Sequence, residues 1–144
     1  MTEDFVLKLN FILGKGWGIE DDNEKSHLSS PTDISRVKAI NRLKEGESRI
    51  DGAEKIRRHN GSYDRCLGVK DCEYLIYNQS YILKNWSERI DGNTQFLFCD
   101  RTIFHSKNRS YIIGLNWNVH LGQYGLCSHS LKDHLSRYCF SLSV

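Results

Sequence analysis

"TQFLFCDRTIFHSKNRSYIIGLNWNVHL", residues 94–121, decides the kind of fold this chain adopts. It contains three runs rich in β-branched and aromatic residues: "TQFLFC", "TIFHS" and "SYIIGLNWNVHL". Asp100-Arg101 separates the first two and Lys107-Asn108-Arg109 the last two, and both are tight-turn chemistry. In the last run Tyr111, Ile113, Leu115, Trp117 and Val119 alternate with Ile112, Gly114, Asn116, Asn118 and His120. A period of two puts the first set on a core face and the second on a polar or lightly covered one. The stretch reads as an antiparallel meander.

On the C-terminal side lies "LCSHSLKDHLSRYC", residues 126–139. Ser130 and Asp133 have capping-box spacing, and Leu131, Leu135 and Tyr138 share one helical face, which predicts a short helix. Beyond it Tyr138, Phe140, Leu142 and Val144 alternate, so the chain is expected to return to the sheet as a strand. On the N-terminal side, residues 72–90 fit either a hairpin about Asn78-Gln79 or an amphipathic helix. The spacing of Ile82, Trp86 and Ile90 favours the helix.

The first half reads as a strand followed by helices. In "DFVLKLNFILG", Phe5, Leu7, Leu9, Phe11 and Leu13 alternate with Val6, Lys8, Asn10 and Ile12, which predicts a strand with one apolar face. "GKGWG" (14–18) is a flexible turn whose glycine spacing does not fit a phosphate loop. The acidic stretch "IEDDNEKSHLS" (19–29) reads as a loop. Ser30, Pro31 and Asp33 then supply an N-cap, a first helical residue and a capping box, with Ile34, Val37, Ile40 and Leu43 on an apolar arc up to Gly46. A second, shorter helix is expected in "RIDGAEKIRRHNGS", closing at Asn60-Gly61. The expected fold is α+β, one globular domain over residues 1–144. Its mainly antiparallel sheet would combine the N-terminal strand, the 95–120 meander and the C-terminal strand, with two or three helices packed on one face.

Composition narrows the function classes. The apolar fraction of 39% and charged fraction of 26% are those of an ordinary globular protein long enough to bury a core. No run approaches the length of a membrane span, and the acidic start with its interrupted apolar stretch does not fit a secretory leader. The five cysteines are irregularly spaced, which fits reduced thiols in the cytoplasm better than a disulfide framework. On that reading the Asn-x-Ser triplets at Asn60, Asn78, Asn85 and Asn108 are compositional.

The net charge of +2 is unevenly spread: ten bases against five acids fall within residues 34–70. Lys38, Arg42, Arg57 and Arg58, with Arg101, Lys107 and Arg109 at the sheet turns, are therefore the candidate ligand-binding residues. Converging, they would hold phosphates by bidentate contacts. The expected function is a small cytosolic, non-catalytic binding or regulatory protein that engages a nucleotide or nucleic acid through this basic middle, with no cofactor and no catalytic residue. The competing class is a protein-interaction module, an inhibitor or adaptor that could self-associate through a sheet edge, with Trp17, Trp86 and Trp117 as anchors.

Metal chemistry ranks lower. Zinc sites legible in sequence bring ligands in tight pairs, whereas Cys127 and His129 are separated by one residue and Cys66 and Cys72 by five. Cys66, Cys72, Cys127 and His129 are the candidate zinc ligands, and no metal site is expected. On a helix, His134 and Cys139 would point about 140° apart. A metal-assisted nuclease, the third class, would draw on His105, Asn118 or His120, and His134. The repeated His-Leu-Ser at His27 and His134 lacks the adjacent-strand setting that a paired phosphodiesterase motif needs.

Overall fold

The computed structural model describes residues 1–20, 26–60 and 65–144. Residues 21–25 of the expected acidic loop, and Gly61 of the expected helix end, lie outside the described residues. The fold is α+β, with four α-helices among the described residues and a mostly antiparallel, curled sheet.

The expected three-strand meander is only partly present. Strands β4 (Phe96–Phe98) and β5 (Phe104–Ser106) both run antiparallel to β6 (Arg109–Asn118). Asp100-Arg101 is not a hairpin turn, however. β4 and β5 lie end to end along the same edge of β6; Cys99 N–H still donates to the Ile113 carbonyl at 3.0 Å, and residues 100–103 bulge out between the two strands. The Lys107-Asn108 turn is a true hairpin: both residues have positive φ (50° and 63°), the conformation that a two-residue turn of right-handed twist requires. On the other edge of β6 runs β7 (Gln123–Ser130), paired along its full length. Gly114 is where β6 meets β4 most closely. A Cβ there would lie 2.3 Å from the Leu97 carbonyl oxygen, so no larger residue fits.

The last strand, β9 (Cys139–Ser143), returns to the sheet as expected, but to its interior. It runs parallel to β4 on one side and antiparallel to β2 (Lys38–Ile40) on the other. β1 (Gly18–Ile19) extends the sheet beyond β5, making seven strands among the described residues. A separate ribbon pairs β3 (Arg49–Asp51) with β8 (His134–Ser136).

Several expected elements are corrected. Residues 3–13 form a helix, α1 (Glu3–Leu13), not a strand. The alternating apolar set contains Phe5, Leu9 and Leu13, spaced by four, and these are the buried residues, while Leu7 and Phe11 face out. The Thr2 hydroxyl caps the Phe5 N–H at 3.2 Å, Glu3 and Asp4 fill the acidic first turn, and Gly14 stops the helix with positive φ.

The capped helix at Pro31 lasts a single turn, α2 (Pro31–Ile34). The chain then becomes β2, because Ala39 and Ile40 gain a strand partner in β9 that a lone helix could not match. The predicted helix after Ser130 is a turn leading into β8. Leu131 N–H donates to the Ser110 carbonyl, continuing the β6–β7 ladder, and Asp133 N–H to the Ser130 carbonyl. The capping-box residues thus close a turn.

Helix α3 (Gly52–Asn60) forms within the expected stretch, whose first three residues are strand β3 instead, and α4 (Val69–Tyr77) takes the first part of residues 72–90, with short 3-10 turns at Gln79–Tyr81 and Lys84–Ser87. The helices do not share one face. α1 and α4 pack with Leu97, Phe104, Ile113, Leu115 and Leu142 on one side of the sheet. On the other side, Ile50 and Ile56 pack with Phe98, Ile112, Leu135 and Cys139, which places α3 and the β3–β8 ribbon there. No helix among the described residues is long and apolar enough to cross a membrane.

Candidate functional site

The most concentrated polar chemistry sits where the β4–β5 edge breaks. Lys55 and His59, one turn apart on α3, point onto the sheet toward Asp100 in the bulge and Ser141 on β9. The Lys55 ammonium lies 3.2 Å from Asp100 Oδ2, and the Ser141 hydroxyl donates to the same oxygen at 2.6 Å. Lys55 also hydrogen-bonds Ser141 directly. The other carboxylate oxygen lies 3.2 Å from His59 Nε2. Arg42 Nε donates to His59 Nδ1 at 3.0 Å. Since a guanidinium can only donate, Nδ1 accepts from Arg42.

All four inner residues are at most 1% exposed. A lysine, a carboxylate and a histidine sealed this way cannot meet a substrate, and their geometry is that of a polar clamp. It holds α3 against the break in the sheet, each charge compensated by a partner.

The candidate ligand-binding residues divide into two groups. Arg57 and Arg58 are committed to carboxylates. Arg58 Nη1 reaches Glu47 at 2.6 Å, its Nε reaches Glu54 at 2.9 Å, and Arg57 Nη2 reaches Glu54 at 2.6 Å. These guanidinium hydrogen bonds hold the Glu47 and Glu54 carboxyls down to about 2. Arg42 turns inward to His59. Lys38 lies exposed on β2, and Arg101 projects from the bulge next to Asp100. Arg42 and Arg58 thus lie together, Arg58 Nη1 donating to the Arg42 carbonyl at 2.9 Å, with Arg57 joined to Arg58 through Glu54.

Lys107 and Arg109 also come together, at the β5–β6 hairpin. With His105, Ser106, Asn108 and Ser110 they face Gly16 and Gly18 across an open cleft of about 550 Å³. β1–β5 pairing, Gly18 opposite His105, brings the glycine turn to the hairpin, and the Lys107 side chain extends to Gly14. Among the described residues neither Lys107 nor Arg109 has an ion-pair partner. Ser110 Oγ holds His105 Nδ1 at 3.1 Å, and Glu20 stands 3.9 Å from the other ring nitrogen at the rim. The cleft is cationic and polar, with main-chain groups of a glycine turn on one wall, a lining suited to anionic oxygens. Sequence reading placed Lys107 and Arg109 but missed Gly16 and Gly18, because the β1–β5 pairing that joins the two turns leaves no local signal.

The remaining candidates disperse. His105 on β5 pairs with Ser110 at one end of β6, roughly 26 Å at strand spacing from Asn118 at the other end, and His134 lies on β8. His27 is tied through its main chain to Asp71 at 2.7 Å, on α4. Cys66 bridges to β9, Cys72 lies buried on α4, and Cys127 and His129 lie on β7 facing the Phe98 side of the sheet. Among the described residues no group of three His, Cys, Asp or Glu could hold a metal ion. The tryptophans are not exposed anchors: Trp86 is buried, Trp17 packs edge-on against Phe104, and Trp117 packs against Tyr124.

Compared with known proteins, the chain matches no family model, no curated sequence and no solved structure.

Proposed function

We propose that this is a small non-catalytic binding protein that takes the phosphates of a single-stranded nucleic acid in the cleft between the β5–β6 hairpin and the glycine turn. The observation that carries this reading is the pair of cations Lys107 and Arg109, facing Gly16 and Gly18 and without an ion-pair partner among the described residues. The lining favours a nucleic-acid backbone over a free nucleotide. It offers cations, hydroxyls and main-chain groups for phosphate oxygens, and among the described residues the His105 imidazole is its one aromatic ring. A reducing cytoplasmic setting belongs to the same reading, supported by five free cysteines.

Anisotropy titration of a short single-stranded RNA across a salt series tests it. Affinity is expected to fall as salt rises. Lys107→Ala/Arg109→Ala should weaken binding and flatten the log–log slope by about 1.4, at about 0.7 for each phosphate that is no longer neutralised. Binding unchanged in the double variant, or insensitive to salt, would refute the reading. Tight binding of a mononucleotide in preference to RNA would refute the choice of ligand.

A further inference from the structure

On the opposite side of β6 from the β4–β5 edge, β7 ends the sheet, and part of its outer edge is open. The Tyr124 N–H donates to Gln79 Oε1 at 2.8 Å, and its carbonyl accepts from Gln79 Nε2 at 3.0 Å, so the main chain of Tyr124 faces away from β6. With a period of two, Leu126, Ser128 and Ser130 face the same way. The Ser130 carbonyl accepts from Asp133 N–H at 3.1 Å. Between these two capped positions, the outward N–H and C=O groups of Leu126 and Ser128 have no hydrogen-bond partner among the described residues.

Beside the open edge is a groove of about 570 Å³ between α1 and β7, lined by Leu7, Phe11, Tyr124 and Leu126, with Asp4 and Lys8 at its rim. Phe11 is 90% exposed and Leu7 65%. An aromatic ring left in water beside unpaired strand groups marks an interaction surface.

We infer that this surface binds a second copy of the same chain, with β7 pairing antiparallel to its own copy across a two-fold axis. The hydrogen-bonding groups select both the partner and the register. Leu126 opposite Ser128 of the copy, and the reverse, uses only the unpaired groups, and the axis then passes beside Cys127. Either neighbouring register would collide with the Gln79 bond at Tyr124 or the Asp133 bond at Ser130. The open stretch is thus self-complementary, as an isologous interface requires.

Charge agrees. Residues 122–131 contain no Asp, Glu, Lys or Arg, so no like charges stack at the axis, and the helix rim presents one acid and one base. A lone peptide strand would satisfy the edge but bring no helix to cover Phe11. A second copy brings its own α1 to the same side of the extended sheet, where Leu7 and Phe11 of the two helices meet.

Light scattering and sedimentation equilibrium on the full chain, with hydrogen exchange on the same samples, decide the point. The wild type is expected to reach twice 16.8 kDa at micromolar concentration, with the Leu126 and Ser128 amides protected. Phe11→Lys adds a charge at an exposed site. Ser128→Pro removes an outward N–H and leaves the β6 ladder intact. Each should weaken self-association at least tenfold, and Phe11→Lys should expose both amides to exchange while the thermal midpoint at monomeric concentrations stays unchanged. A wild type that stays monomeric at about 100 µM, or a dimer that survives both substitutions, would overturn the inference. RNA binding enters neither readout.

Discussion

Asp100 shows at the scale of one residue how this chain manages buried charge. Each of its carboxylate oxygens meets α3, one through Lys55 and the other through His59, while Ser141 adds a bond from β9. Removing either charge leaves its partner buried without compensation. Asp100→Asn and Lys55→Met are each expected to lower unfolding stability by about 3–5 kcal/mol in urea titration. The double variant should cost less than the sum of the singles, by at least about 1 kcal/mol, because the two groups compensate each other. Strict additivity would mean that the pair is not coupled. At the same scale, Tyr124 buries a phenol whose ionisation burial pushes up to about 12, so it contributes packing against Trp117 rather than charge.

Helix α3 is where several of these effects meet in one element. Its inner face carries the clamp and Ile56, and its outer face carries a ladder in which Arg57 and Arg58 bridge Glu54 and Glu47. Sequence patterning identified this helix correctly but assigned its arginines to a ligand. The same spacing of three and four that makes them look like a basic patch also brings Glu54 within their reach. The ladder has a pH signature. Glu47 and Glu54 are held at about 2 in the folded chain against an ordinary value of 4.5, so the folded chain binds fewer protons there than the unfolded one does. Their contribution is complete above about pH 4.5 and is lost as pH falls toward about 2. The thermal midpoint should therefore drop across that window, and Arg58→Met should make the drop shallower. An unchanged pH profile in the variant would show that the ladder contributes nothing to stability.

Across the whole molecule, the sheet depends on its last residues. β9 lies between β4 and β2 and also receives the Cys66 bridge, and Leu142 is fully buried beneath α1 and α4. Deleting Cys139–Val144 would separate β2 from the sheet, remove Ser141 from the clamp and open the core at Leu142. The expected result is loss of the cooperative thermal transition by circular dichroism. A truncated chain that still melts cooperatively near the wild-type temperature would contradict this account of the sheet.

The sequence by itself determined the α+β class, the strand-rich stretch around β6, the Lys107-Asn108 hairpin, helix α3 and the terminal strand. Each rests on local chemistry: β-branched runs, residues that tolerate positive φ, and an amphipathic turn spacing. It also held the start and stop of α1, in Thr2-Glu3-Asp4 and Gly14, but the alternation of Phe5 to Leu13 masked them. That pattern contains the period of two and the spacing of four at once, and only packing against the sheet selects Phe5, Leu9 and Leu13. Tertiary structure decided the rest. The single turn at Pro31 became a strand because β9 offered a partner, and the capping pair Ser130 and Asp133 closed a turn because Leu131 paired with Ser110. Which cations stay free and where the sheet edge lies open depend on pairings between distant segments. Main-chain hydrogen bonds across such distances leave no periodic trace in the sequence.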